Sequence, residues 1–142
     1  MFSRDEITKK INDCYWVYDL NCATTNLKIL AEQFKFGLSN QAIDAALGMH
    51  GAGGYGAQCG LVEGALMFAG IYGRHLKIND NDIILLCNNY AEKFEMKFKS
   101  LQCKDLRPNG FKEDDPPHLC ESFTCDAICF NSLVLKDFFN IM

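Results

Sequence analysis

The sequence predicts an all-α fold: a single compact bundle of about five to six helices, with a Gly-rich loop before the fourth helix. Three observations predict it. Apolar residues recur at three- and four-residue spacing along several segments, and no segment alternates with the two-residue period of a strand. Helix start and stop signals bracket those segments. The 142 residues, 49% hydrophobic and 23% charged, suit one ordinary globular core, so residues 1–142 are read as one domain.

The elements follow in order. Ser3 and Glu6 have capping-box spacing, and Ile7, Ile11, Cys14, Tyr15 and Tyr18 then fall on one face of a helix over about residues 4–18. A second helix covers about residues 22–36 with the stripe Ala23, Leu27, Leu30, Ala31 and Phe34, and Gly37 is its expected stop. Ser39 caps a short third helix over about 40–47. After the stretch Gly48-Met49-His50-Gly51-Ala52-Gly53-Gly54-Tyr55-Gly56, a fourth helix starts near Cys59 and ends near Tyr72, before Gly73. A long fifth helix over about 80–99 has Ile83, Cys87, Tyr90, Ala91, Phe94 and Phe98 inward. Residues 101–117, with Pro108, Asn109, Gly110, Asp114, Asp115, Pro116 and Pro117, read as a loop whose acidic pair is a solvated turn. A last helix over about 125–139 follows Thr124 as cap.

Composition excludes several function classes. The formal charge is -4 and no Lys/Arg-rich run exists, which argues against nucleic acid as a partner. The mixed-charge start Met1-Phe2-Ser3-Arg4-Asp5-Glu6 does not resemble a signal peptide. The longest apolar stretch, 60–73, contains Glu63 and is too short to span a bilayer. These features point to a cytoplasmic protein without a membrane partner, in a compartment where structural disulfides are rare.

Gly51, Gly53 and Gly56 match G-x-G-x-x-G, but a preceding strand and a following acidic residue are missing, and no Gly-Lys-Ser/Thr occurs. The better reading is close approach. Gly56, Gly60 and Gly64 recur every four residues and leave a strip against which another helix or a prosthetic group can lie.

Eight cysteines stand out: Cys14, Cys22, Cys59, Cys87, Cys103, Cys120, Cys125 and Cys129. Cys14 and Cys87 sit within apolar stripes and read as small core residues. Cys22 and Cys59 sit at predicted helix starts, where backbone N–H groups and the macrodipole lower a thiol pKa. Cys103 follows the fifth helix near Lys99 and Lys104, and Cys125 opens the last one. Four thiolates at such positions can share an anionic cluster or a soft metal. The tail leaves the fourth member open among Cys120, Cys125 and Cys129. No C-x-x-C or C-x-x-C-H occurs, so a thioredoxin motif and covalent c-type haem are unsupported. His50 can ligate or tune a metal or simply be solvated, while His75 and His118 read as loop residues without partners.

Residues Cys59-Gly60-Leu61-Val62-Glu63-Gly64-Ala65 resemble the C-G-A-x-x-G motif of the C_GCAxxG_C_C family of four-cysteine proteins. Asn21-Cys22-Ala23 is similar to the segment of its first cysteine, and 98–106 to that of its third. Leu61 departs from the motif's alanine. The resemblance runs from about Asn21 to the C-terminus. It implies an all-helical fold related to split-Soret cytochrome c, and a prosthetic group, suspected to be an iron–sulfur cluster, held by four cysteines. The expected set is Cys22, Cys59, Cys103 and Cys125, with Cys120 as the alternative fourth and Gly54, Gly56 and Gly60 against the group. The expected role is electron transfer as an oxidoreductase accessory, with a redox partner protein and a homodimer as candidate assemblies. A metal-free dithiol/disulfide protein and a zinc-binding or structural domain are the alternatives.

Overall fold

The computed structural model describes residues 1–108, 112 and 114–141. It is all-helical: α1 (Arg4–Asn12), α2 (Cys22–Gln33), α3 (Asn40–Ala45), α4 (Gly51–Gly54), α5 (Gly60–His75), α6 (Asp80–Phe98), α7 (Cys103–Leu106) and α8 (Glu121–Ile141). Five of these are long, and α3, α4 and α7 are one or two turns each. The β-pairing found among the described residues is one isolated antiparallel bridge between Gln58 and Gln102. Among the described residues no helix is long and apolar enough to cross a membrane. The turn expected at Asn109 and Gly110 lies outside the described residues.

Several boundaries differ from the sequence expectation, each for a local reason. The capping box at Ser3 and Glu6 forms, but α1 ends at Asn12 and passes into a π-helical turn, Asp13–Val17. That wider turn shifts the register, so Tyr15 stays buried while Tyr18 is 68% exposed. α2 is ended by Lys35 and not by Gly37: Lys35 adopts φ 54, and the Phe36 N–H reaches back to the Ala31 carbonyl at 2.8 Å. α5 runs past Gly73, which is buried against Ile83 of α6. Residues 103–106 form a helical turn inside the expected loop. α8 begins at Glu121, one turn earlier than expected, so Thr124 and Cys125 lie inside it. The Thr124 hydroxyl, free of capping, meets Tyr15 Oη at 2.8 Å. Cys14 and Cys87 are only half-buried.

The core centres on α2 packed against α5, with α8 touching α1, α2, α5 and α6. Leu27, Leu30, Leu61, Phe68, Phe94, Ile128 and Leu135 are closed to solvent. The α2–α5 approach depends on glycine. A Cβ on Gly64 would stand 2.7 Å from the Ala23 carbonyl oxygen and 2.9 Å from Asn26 Nδ2. One on Gly60 would collide with the Cys22 sulfur and come within 2.9 Å of the Ala23 nitrogen.

A buried polar knot ties the same helices to α6 and α8. The Leu61 carbonyl accepts from Asn26 Nδ2 at 2.8 Å and Asn131 Nδ2 at 2.9 Å. Tyr90 Oη donates to Asn131 Oδ1 at 2.6 Å. Such groups are tolerated in a core because each has a partner, and leaving one unpaired costs about 1–3 kcal/mol.

The packing predicts opposite outcomes at two glycines of one helix. Gly64→Ala should lower the unfolding free energy by about 1–3 kcal/mol, since the methyl meets backbone. Gly70→Ala meets nothing within 4 Å and should leave stability unchanged or raise it by up to about 1 kcal/mol. Urea unfolding of the two variants checks this.

Candidate functional site

Four of the cysteines are brought to one place by helix starts. Cys22 is the first residue of α2, behind Asn21, whose Oδ1 accepts from the Thr24 N–H at 2.9 Å. Cys59 is the N-cap of α5. Cys103 opens α7, and Cys120 directly precedes α8. The α2–α5 contact sets Cys22 beside Gly60, the residue after Cys59. Cys59 and Cys103 are joined by the small bridge: the Cys59 N–H donates to the Leu101 carbonyl at 2.8 Å, and the Cys103 N–H to the Ala57 carbonyl at 2.7 Å. Behind Cys103 sits Gly51, at φ 65, where a Cβ would lie 3.0 Å from the Cys103 Cβ and 3.2 Å from its sulfur.

Cys22, Cys103 and Cys120 line a cavity of about 270 Å³, together with Tyr15, Asp19, Asn21, His50, Gly54 and Arg107. Cys59 is buried beside it. Every pair among these four thiols interacts electrostatically: Cys22 with the other three, Cys59 with Cys103 and Cys120, and Cys120 with Cys103.

Cys125 is placed elsewhere. Its sulfur lies 3.0 Å from Thr8 Oγ1, and it interacts with Cys129 and Arg4 on the α1–α8 face. Its position inside α8 removes the helix start that made it attractive in the sequence. Of the expected ligands the structure therefore groups Cys22, Cys59 and Cys103 with Cys120. Gly54 lines the cavity and Gly60 backs Cys22, while Gly56 accepts from the Lys104 N–H through its carbonyl at 3.2 Å.

Burial governs the thiols. The Leu61 and Val62 N–H groups favour a thiolate at Cys59, as a helix start should, yet burial wins and pushes its pKa up to about 12. The Cys22 thiol is driven up by burial first, then by the other three sulfurs, against the Ala23 N–H. Cys103 and Cys120 are also raised by burial but are half-buried, and the Arg107 guanidinium opposes the rise at both. The neighbouring cation is thus Arg107 and not Lys99 or Lys104.

Histidine and aspartate complete the setting in ways the sequence concealed. His118, at φ 58, stacks on Tyr15 with centroids 4.4 Å apart and places Nε2 2.9 Å from Asp19 Oδ1. This clasp holds the Cys120 segment to the turn after α1. Asp115 is no solvated turn residue: it accepts from Arg107 Nη2 at 3.2 Å and from the Lys112 N–H at 3.0 Å. His75 ends α5 against the rings of Phe36 and Tyr72. Periodicity could have placed His75; the pairing of residues a hundred positions apart left no local signal.

Among the described residues no three His, Cys, Asp or Glu side chains converge on one point as a single metal ion would require. Three of the four thiols, Cys22, Cys103 and Cys120, line the cavity, and Cys59 is buried beside it. Soft thiol donors at the wall of a cavity, with two glycines clearing room behind Cys22 and Cys103, are chemically suited to a soft metal or a cluster.

The family model "Putative redox-active protein (C_GCAxxG_C_C)" matches residues 20–132, most of the chain and all four grouped cysteines. The chain belongs to the C_GCAxxG_C_C family. No curated protein and no solved structure matches it. Membership makes this a protein of a redox-active family, and the matched span ends inside α8, just past the polar knot at Asn131.

The raised thiols predict a pH dependence in the reduced, metal-free protein. Cys59 rises from an ordinary 9.0 to about 12 on folding. The unfolded chain therefore loses this proton first as pH rises, so the contribution is intact below about pH 9 and is lost between about 9 and 12. Urea-unfolding free energies should fall more steeply over that window in the wild type than in Cys59→Ala.

Proposed function

We propose that the protein is an electron-transfer accessory in which Cys22, Cys59, Cys103 and Cys120 hold an iron–sulfur cluster. The observation that carries this reading is that Cys22, Cys103 and Cys120 line one cavity with Cys59 buried beside it, near enough that a charge on one thiol would oppose a charge on the next. Isolated thiols in such a place stay protonated, because burial and the repulsion of their neighbours oppose a second and third negative charge. A cationic metal centre reverses that balance and makes deprotonation favourable.

The chain's own groups then have definite tasks. The Leu61 and Val62 N–H groups point at the Cys59 sulfur and the Ala23 N–H at that of Cys22, so each would hold a thiolate that a metal has already deprotonated. Arg107 offsets part of the charge at Cys103 and Cys120. Tyr15 and the Tyr90–Asn131 knot exclude water from the inner side, while the Cys103–Cys120 side stays open enough for a redox partner protein to approach. A cluster bound here supplies one-electron transfer. The reading suits a cytoplasmic protein, where reduced thiols persist.

One observation favours a second reading. Cys103 and Cys120 are half-buried near one another, and Arg107 opposes the rise that burial imposes on both thiols. In a metal-free protein these two thiols would give up two electrons and two protons to an incoming disulfide and close as a disulfide themselves.

Anaerobic purification followed by reconstitution with ferrous iron and sulfide tests the proposal. The wild type should be brown, with iron and sulfide in fixed ratio. Serine at Cys22, Cys59, Cys103 or Cys120 should each remove most of the iron, and Cys125→Ser should retain it. A colourless wild type that takes up no iron would overturn the reading. A reversible Cys103–Cys120 disulfide in that protein would establish the dithiol alternative.

A further inference from the structure

His50 lines the same cavity as Cys22, Cys103 and Cys120. Its Nδ1 is closed to solvent and has no hydrogen-bond partner among the described residues. A buried ring nitrogen left unpaired costs about 1–3 kcal/mol, so such a nitrogen is usually answered by something. The backbone holds it in place. His50 precedes the left-handed run Gly51, Ala52, Gly53 and Gly54, and its carbonyl accepts from the Gly54 N–H at 2.9 Å. Gly51, next in sequence, rests on Cys103, so His50 is fixed one residue from the side chain-free spot that backs that sulfur. Replacing Gly51 by a residue with a side chain would push this contact apart, and its φ of 65 disfavours one in any case.

We propose that His50 is a fifth protein member of the site, donating a hydrogen bond from Nδ1 to a sulfur of the bound group or of a cysteine holding it. This inference rests on the cluster reading above. Four thiolates already supply the four cysteine ligands, which leaves the imidazole the role of a positioning residue and not of a metal ligand. A hydrogen bond to a cluster sulfur stabilises the reduced, more negative state and so raises the reduction potential. The proton stays on Nδ1 throughout, and no bond to His50 forms or breaks.

Wild type, His50→Ala and His50→Asn are reconstituted anaerobically with ferrous iron and sulfide, then compared by iron and sulfide content, helical circular dichroism and potentiometric titration. The asparagine amide can take the place of the Nδ1 donor. The expected result is unchanged iron, sulfide and helix content in all three. His50→Ala should shift the reduction equilibrium about tenfold toward the oxidised form, about 59 mV lower for one electron, with His50→Asn recovering most of the shift. An unchanged potential in His50→Ala overturns the inference while the cluster reading stands. Loss of iron from a folded His50→Ala also overturns it, by making His50 a ligand. A wild type that takes up no iron sinks both at once, which separates the two failures.

Discussion

The close approach of α2 and α5 is the constraint on which the rest of the molecule depends. Gly60 and Gly64 present bare backbone to Cys22, Ala23 and Asn26, and this lets two helix starts lie side by side. Cys22 and Cys59 become neighbours only because of it. The Leu61 carbonyl, on the same turn of α5, then collects hydrogen bonds from α2 and α8, with Tyr90 of α6 closing the set. Packing below and chemistry above therefore share one turn of helix. A residue that widened the gap would disturb both.

Around that fixed pair, the other two thiols arrive by weaker means. Cys103 is carried in on a short bridge of main-chain hydrogen bonds to residues 57 and 59. Cys120 is held by the His118 clasp on Tyr15 and Asp19 and by its place at the head of α8. The site thus has a rigid half, sunk in the core, and a half set on short segments near the surface. The electrostatics divide in the same way. Burial dominates at Cys22 and Cys59, whereas Arg107 moderates it at Cys103 and Cys120. A prosthetic group would be anchored by the first pair and reached through the second.

Much of this was legible in the sequence. The 3.6-residue stripes located the five long helices, and the Ser3 and Ser39 starts were visible from residue type and spacing. The four-residue glycine rhythm announced a close helix contact. Helix starts were the criterion that picked out the grouped cysteines, and at the tail it was applied to a boundary one turn too late. Thr124 looks like a cap in one dimension, but its hydroxyl is engaged by Tyr15, and α8 begins a turn earlier. That single shift moves Cys120 to the helix start and Cys125 to the α1–α8 face. The thiol pKa values were also misjudged from local sequence, because the helix-start effect is local while burial is a property of the whole fold. The Leu61 knot, the His118 clasp and the Arg107–Asp115 pair join distant residues and had no local signature.

The central claim is that Cys22, Cys59, Cys103 and Cys120 gather at one cavity, three lining it and Cys59 buried beside it, while Cys125 lies on the α1–α8 face. Mild oxidation of the native, metal-free protein with oxidised glutathione, followed by digestion and mass spectrometric mapping of the linked peptides, tests it most directly and independently of any prosthetic group. The account predicts intramolecular disulfides within this set and none that joins a member of it to Cys125. A native-state link from Cys125 to Cys22, Cys59 or Cys103 would contradict it.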